Sequence, residues 1–301
     1  MTDHTLTLMA VHAHPDDEVF LTGGVIAKAA AEGIHTVLVT ATRGEEGEIH
    51  DPDLDPEEAR HRLGAIREAE LRRAVSILGV DELHFLGYRD SGMAGTPENE
   101  NPHNFHHADI EEATGRVVRL IRQTRPDVIV TYDERGGYGH PDHIATHRAA
   151  VAAFDAAADP ERFPDPELAP WQPRKLYYGA FARSTFDRMQ RLFREANPEG
   201  QIELPEEDFS TFTVPDEAIT TSVDVHPYLL QKQAALRAHR TQIAQDNPFL
   251  TMTDETAQEL VAFEAFILVR SLVPVPERED DLFAGLRTPV NTKRGVITSG
   301  V

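Results

Sequence analysis

In the segment His14-Pro15-Asp16-Asp17-Glu18, one imidazole and three carboxylates follow directly on the apolar run Leu8-Met9-Ala10-Val11. A second segment, Gly139-His140-Pro141-Asp142-His143, follows the apolar run Val128-Ile129-Val130-Thr131-Tyr132. Each group stands where a strand should end, and together they read as two halves of a metal site. The sequence has no cysteine, so a metal would have to be held by His, Asp, Glu or backbone oxygen. Hydrolysis is the chemistry such a set suits, because it needs ligands that hold an ion and a further carboxylate that takes a proton.

His14 and Asp17 can reach one ion while Asp16 points at its bound water, in a turn that Pro15 stiffens. Pro141 is suited to the first position of a helix running to about Ala157, with His140 at the cap. His143 and His147 then lie on one helix face with it, at i+3 and i+7. Either could be the third ligand; His143, in the first turn beside the loop, is favoured, and His147 is read as a structural histidine. A His2Asp set leaves positions open for water and substrate. Zn2+ is the ion of choice, with Fe2+ also suited to these donors. Asp142 is read as fixing the tautomer of a neighbouring imidazole, Glu18 as capping the helix that follows the turn, and His12 as a core residue.

Positioning two such loops requires strand ends that meet. The first half of the chain alternates apolar runs with amphipathic stretches in a βαβα rhythm, which implies an α/β fold of Rossmann-like type, a mostly parallel sheet with helices on both faces. Strands are expected at Leu6–Ala13, Thr36–Thr42, Glu82–Leu86 and Val128–Tyr132. Helices are expected at Gly23–Glu32, stopped by Gly33, and at Pro56–Leu78, capped by Asp55 with its apolar face on Leu63, Ile66, Leu71, Ala74, Val75 and Leu78. A third helix is expected at Asp109–Arg125, ended by Pro126 with Val117, Val118 and Ile121 inward. Ligands of open parallel sheets bind beyond the carboxyl ends of strands at a topological switch point, which puts the two dressed strand ends on one crevice. The long connections Arg43–Asp55 and Gly87–Ala108 follow strands and should emerge on the same side.

Residues 1–158 form the expected catalytic core, and residues 159–301 a C-terminal α/β elaboration packed on it. The elaboration opens on Asp159–Pro173, which carries Pro160, Pro164, Pro166, Pro170 and Pro173 and reads as a surface loop. Beyond it the pattern gives strand Leu176–Phe181, helix Ser184–Ala196, a strand near Ile219–Val225, helix Pro227–Ala244 and a last apolar run Ala265–Val269. The tail from Pro274 is acidic before Thr292-Lys293-Arg294-Gly295, and its end is expected to be loosely ordered.

Bulk properties limit the partners. The 301 residues carry 29 Lys and Arg against 51 Asp and Glu, a formal charge of −22. So acidic a surface repels phosphate backbones and anionic lipid, which disfavours nucleic acid and membranes and leaves a small neutral or zwitterionic substrate. The N-terminus lacks a basic n-region, and no stretch approaches the ~20 apolar residues of a membrane span, so a soluble cytoplasmic protein is expected. The sequence leaves homo-oligomerisation open.

The two signature segments resemble those of the PIG-L (LmbE-like) family of metal-dependent N-deacetylases. Gly44-Glu45-Glu46-Gly47-Glu48, Arg89-Asp90-Ser91-Gly92-Met93-Ala94-Gly95-Thr96 and Gly136-Gly137-Tyr138-Gly139 further resemble the subgroup that deacetylates N-acetylglucosaminyl-inositol in mycothiol biosynthesis. The likeness is in register over residues 6–150. It implies a Rossmann-like fold, an amino-sugar substrate, a zinc site of His14, Asp17 and His143, and Asp16 as general base. It further implies His140 as general acid or oxyanion stabiliser, Tyr138 as a carbonyl-polarising group, and Glu48, Arg67, Asp90 and Met93 as lining the sugar and inositol pocket. From the residues alone, Arg67 reads instead as a solvated charge on a helix surface. Two alternatives accompany this reading: an amidase for larger amides such as mycothiol S-conjugates, and a metal- or sugar-binding module without turnover. The second has no use for a free carboxylate such as Asp16 beside the ligands. A nucleotide-binding domain is disfavoured by the lack of a Gly-x-Gly-x-x-Gly or Walker loop after the first strand.

Overall fold

The computed structural model of the chain describes residues 5–196 and 213–287. Its centre is β1 (Thr7–His12), buried at every position because helices cover both of its faces. The chain turns through His14 and Pro15 into α1 (Asp17–Ala31), passes Gly33 at φ +74° and returns as β2 (His35–Thr40), parallel to β1. Next come α2 (Pro56–Arg60), α3 (Leu63–Leu78) and β3 (Glu82–Phe85), which extends the sheet parallel to β2. After a long loop, α4 (Ile110–Thr124) leads to β4 (Val128–Thr131) on the other side of β1, again parallel. The short α5 (Gly136–Gly139) and α6 (Pro141–Ala156) follow.

The strand order β3-β2-β1-β4 thus reverses direction of travel at β1, and the crevice between the carboxyl ends of β1 and β4 is the switch point. Leu8 and Ala10 of β1 face the layer that holds Val25 and Ile26 of α1 and Leu71 and Leu78 of α3, whereas Met9 and Val11 face Val117 and Ile121 of α4 and Ala149 and Ala153 of α6. This two-residue alternation is the pleat of a strand buried on both sides.

The later part of the chain contributes β5 (Lys175–Ala182), α7 (Arg183–Ala196), β6 (Thr213–Val214), β7 (Thr221–Asp224), α8 (Leu229–Ala238), α9 (Pro248–Thr251), α10 (Asp254–Leu260) and β8 (Phe263–Ser271). β5 pairs in parallel with β4, then β8 and β7 add antiparallel partners, so strands from before and after residue 158 share one sheet. α8 packs on α1 and α3. Residues 274–287 are stitched down by a buried Lys175–Glu279 pair at 2.5 Å, with the Tyr177 hydroxyl donating to the second Glu279 oxygen at 2.8 Å. Thr292-Lys293-Arg294-Gly295 and the expected loose end lie outside the described residues. No helix among the described residues is long and apolar enough to cross a membrane.

The expected strands fall within two residues of their limits and the two-residue β6 was not foreseen, while three of the expected helices differ. α1 begins at Asp17, not Gly23, because Asp17 and Glu18 suit a first helical turn and the paired glycines inside the helix serve packing. A Cβ on Gly24 would meet Val225 at 2.5 Å, and the Gly24 and Val25 N–H groups donate to the Glu264 carboxylate at 2.7 and 2.8 Å. The expected helix Pro56–Leu78 is capped by Asp55 as read, but it breaks at His61 and Arg62, just before Gly64, where the Glu45 side chain passes 2.9 Å from where a Cβ would sit. The expected Pro227–Ala244 helix ends at Ala238, because Thr241 leaves the helical path to give both its N–H and hydroxyl to Glu70, at 2.9 and 2.5 Å.

Candidate active site

β1 delivers His14, Asp16 and Asp17 to the crevice, and the start of α6 delivers His140, Asp142 and His143. His140 is the N-cap of α6, with its Nδ1 accepting the Asp142 N–H at 3.1 Å and Pro141 at the first helical position, as the motif implies. The preceding loop is organised by Asp133, whose Oδ1 accepts the Gly137 N–H at 2.8 Å. Gly136 adopts φ +64° there, and a Cβ on it would lie 2.7 Å from His143 Cβ, so glycine is what lets the loop close on the histidine.

Donor atoms of three residues converge. His14 Nδ1 lies 3.2 Å from His143 Nε2 and 3.5 Å from Asp17 Oδ2, and His143 Nε2 lies 3.4 Å from Asp17 Oδ1. A ring nitrogen of His140 stands within 4.8 Å of those of His14 and His143. The outer nitrogens are already engaged. His143 Nδ1 donates to Gly136 O at 3.1 Å, and His14 Nε2 faces Asp142 Oδ2 at 3.2 Å and Asp90 Oδ1 at 3.5 Å. With those protons placed outward, two imidazole lone pairs and a carboxylate oxygen point at one another, an arrangement that repels unless a cation lies between them. The residues therefore fit a divalent metal, held by nitrogen and oxygen donors with second contacts that orient each ring.

Asp17 is set by two further groups. Its Oδ2 accepts the His14 N–H at 2.8 Å and the Tyr132 hydroxyl at 2.7 Å, which leaves Oδ1 toward His143. Tyr132 also stacks on the His143 ring with centroids 4.2 Å apart. The Asp142 carboxylate, besides facing His14, accepts the N–H of Ser91 at 2.9 Å and its hydroxyl, docking the long 87–108 loop on the site. Sequence reasoning missed Tyr132 and Ser91 as parts of the site. Tyr132 ends a strand beside the signature, and that position is the signal that could have found it.

Asp16 stays out of the converging set. Its backbone has φ +125°, a conformation L residues seldom adopt and one that functional turns often hold. Arg67 steadies it: the guanidinium donates to Pro15 O at 2.6 Å, Gly44 O at 2.8 Å and Asp16 Oδ2 at 3.1 Å. The solvated-charge reading of Arg67 is corrected, since the residue is 3% exposed and Gly44 and Gly47 leave the space its head fills. Burial pushes the Asp16 carboxyl up to about 6, with Arg67 pulling against it. Burial opposes ionisation of Asp17 as well, yet His143 and His14 hold it well below the usual carboxylate range. Burial, with the neighbouring rings of His14 and His143, pushes His140 down to about 2; its neutral ring carries the proton on Nε2, because Nδ1 accepts from Asp142.

The remaining sequence-derived residues divide. Asp90 is buried and accepts the N–H groups of Gly92 at 2.9 Å and Glu46 at 3.1 Å. Tyr138 is half exposed, its ring centroid 5.0 Å from that of His143. Met93 is exposed, and the Glu48 carboxylate faces solvent beside His50, so neither touches the cluster. His147 Nδ1 donates to Tyr132 O at 2.9 Å and His12 Nε2 bonds the Thr22 hydroxyl at 2.9 Å, both in structural roles as read. Glu18, expected to cap the helix, is instead the second residue of α1, whose N-cap position is Asp16, and its carboxylate accepts the Asp16 N–H at 2.9 Å. A cavity of about 270 Å³ is lined by Ala94, His106, Gly139 and Pro141 among others, with none of the cluster residues in its wall. A wider apolar cleft of about 840 Å³ runs along Phe20, Phe181, Met189 and Leu236, and no residue of the cluster lines it.

A Rossmann-like sheet with imidazole and carboxylate groups at its switch point, able to hold a divalent metal, and a further carboxylate beside them is the arrangement of a hydrolase site. Residues 9–154 match the family described as PIG-L, GlcNAc-PI de-N-acetylase. The chain is 45% identical over 287 residues to the 1D-myo-inositol 2-acetamido-2-deoxy-alpha-D-glucopyranoside deacetylase of Geodermatophilus obscurus, covering 93% of this chain and 97% of that one. The protein of the same description from Thermomonospora curvata is 44% identical over 302 residues, covering 95% and 99%. Among solved structures, the N,N'-diacetylchitobiose deacetylase of Pyrococcus horikoshii superposes with a TM-score of 0.61 at 22% identity, covering 88% of this chain and 84% of that one. A conserved protein of Thermus thermophilus gives 0.57 at 25% identity, over 90% and 98%. These two share the fold. The chain belongs to the PIG-L family of N-deacetylases.

Proposed function

We propose that the protein removes the acetyl group from 1D-myo-inositol 2-acetamido-2-deoxy-α-D-glucopyranoside, with Zn2+ held by His14, Asp17 and His143. The observation that carries this reading is the separate Asp16 carboxylate, fixed by Arg67 beside donor atoms of three residues that lie 3.2 to 3.5 Å apart. Relatives matched over nearly the whole chain support the substrate.

A divalent cation in such a site lowers the pKa of coordinated water from ~15.7 toward ~7 and polarises the acetamide carbonyl. The chain's own residues supply the proton transfers and the fixed dipoles. Asp16 accepts the proton of the attacking water and returns it to the departing amine, a task suited to a carboxyl pushed up to about 6. His140, neutral with its proton on Nε2, acts as a hydrogen-bond donor to the carbonyl oxygen, and Tyr138 is the second donor; each such donor is worth ~10²–10³ in turnover. Asp142 and Asp90 hold the His14 ring in the tautomer that leaves Nδ1 for the metal. Met93 and Glu48 are proposed to meet the sugar and inositol at the rim, and Arg67 to act through Asp16.

The test is release of acetate and free amine from that glycoside and from a larger amide such as an S-conjugate, with metal content measured on the same samples. Asp16→Ala is expected to keep its zinc and lose hydrolysis, and His143→Ala to lose both. An active, zinc-free His143→Ala protein would overturn the ligand assignment, and preference for the larger amide would overturn the substrate.

A further inference from the structure

The turn that presents Asp16 is held from a second side by the far end of the chain. His239, immediately after α8, is fully buried, and its Nε2 lies 2.7 Å from Glu18 Oε1. The other Glu18 oxygen, Oε2, accepts the Asp16 N–H at 2.9 Å, and the Asp16 carbonyl accepts the Val19 N–H at 3.0 Å. The two-residue step from Glu18 to Asp16 therefore carries a contact from position 239 directly onto the residue with φ +125°. His239 is itself anchored: the next residues bond to α3 through Thr241 and Glu70, and the Thr241 carbonyl accepts the His50 N–H at 2.8 Å.

We infer that His239 is a positioning residue for Asp16, acting through Glu18, so that the C-terminal part of the chain completes the general base. The inference rests on the role proposed above for Asp16. Its physical basis is the division of labour in Glu18. The carboxylate is 1% exposed, and His239 is the donor that satisfies the oxygen not engaged by the turn. Without it, Glu18 holds a buried, half-satisfied carboxylate that must rotate or take up a proton, and the Asp16 N–H loses its acceptor. The backbone of Asp16 then relaxes toward negative φ and its carboxylate swings off line. Asp17, one residue on, is held separately by the His14 N–H and the Tyr132 hydroxyl, so the cation site survives the change.

The prediction that follows separates positioning from plain stability. In zinc-loaded protein, His239→Leu lowers kcat ~10–100-fold, the cost of about 1 Å of misplacement, with KM and bound zinc unchanged. His239→Gln, whose amide can still donate to Glu18, recovers most of it. Glu18→Ala, which removes the acceptor of the Asp16 N–H itself, gives the same fall as His239→Leu and serves should that variant not fold. Amide exchange of the peptide containing Asp16 quickens in His239→Leu and stays at the wild-type rate in His239→Gln, whether or not turnover is observed. A His239→Leu protein with wild-type kcat and wild-type exchange overturns the inference, as does a loss that zinc content or KM shares equally. A wild-type protein that exchanges as expected but hydrolyses no amide would fail the functional reading and leave this one standing.

Discussion

The residues of the site show how burial and charge assign different work to neighbouring carboxylates. Asp16 and Asp17 adjoin in sequence, yet one is pushed up to about 6 by burial while the other is held low by His143 and His14. As the proposed base, Asp16 must be ionised to accept a proton, so kcat/KM is expected to fall as pH drops through about 6, and a dication alongside can only move that limb lower, because it favours the carboxylate. Asp16→Asn removes the limb together with ~10²–10⁴ of the rate, and a pH–rate profile of both proteins checks it. His14, Asp16, Asp17, His140, Asp142 and His143 were legible in the sequence because chemistry of this kind needs those side chains, and strand ends mark where they must sit. Arg67 was not, since a lone arginine on a helix carries no sign of whether a strained turn lies beneath it. Ser91 and His239 were hidden for the same reason: a hydrogen bond between residues far apart in sequence leaves no spacing to read, whereas Tyr132 had a signal in its place at the end of a strand.

At the scale of elements, periodicity found every described strand except the two-residue β6, most readily β1 and β4, which are buried throughout and read as continuous apolar runs. It misjudged helices where side chains compete with the backbone. α8 stops early because His239 and Thr241 have buried partners elsewhere, and α1 starts early because its carboxylates suit a first turn better than its glycines suit an interior. The loop from Asp133 to His140 has a role of equal weight, since it determines how closely α6 approaches β1. Gly136→Ala places a methyl group 2.7 Å from His143 Cβ at a φ of +64°, so it should displace the His143 ring. If His143 holds the proposed zinc, affinity for that ion drops ~10–100-fold, as for loss of an orienting contact, with thermal stability changed far less. Competition with a chelator measures the first and calorimetry the second.

In the whole molecule, one sheet carries both the catalytic strands and those of the later chain, and buried polar links cross between them. Lys175 and Glu279 are both buried, with the ammonium donating to Glu279 and to the Ala284 carbonyl. Glu279→Leu leaves that ammonium without its counter-ion and is expected to cost about 3–5 kcal/mol in urea unfolding, whereas Lys175→Met with Glu279→Leu regains most of it. If the single variant is as stable as wild type, the pair is not what secures residues 274–287. The expected division at residue 158 was drawn from composition, a run of prolines after the last helix of the first half, and composition carries no information on which strand pairs with which. The pairing of β4 with β5 has a practical outcome for anyone shortening the gene. A product ending near that point would expose the whole flank of β4 as an unpaired, apolar template, and it should precipitate during expression as misassembled multimers.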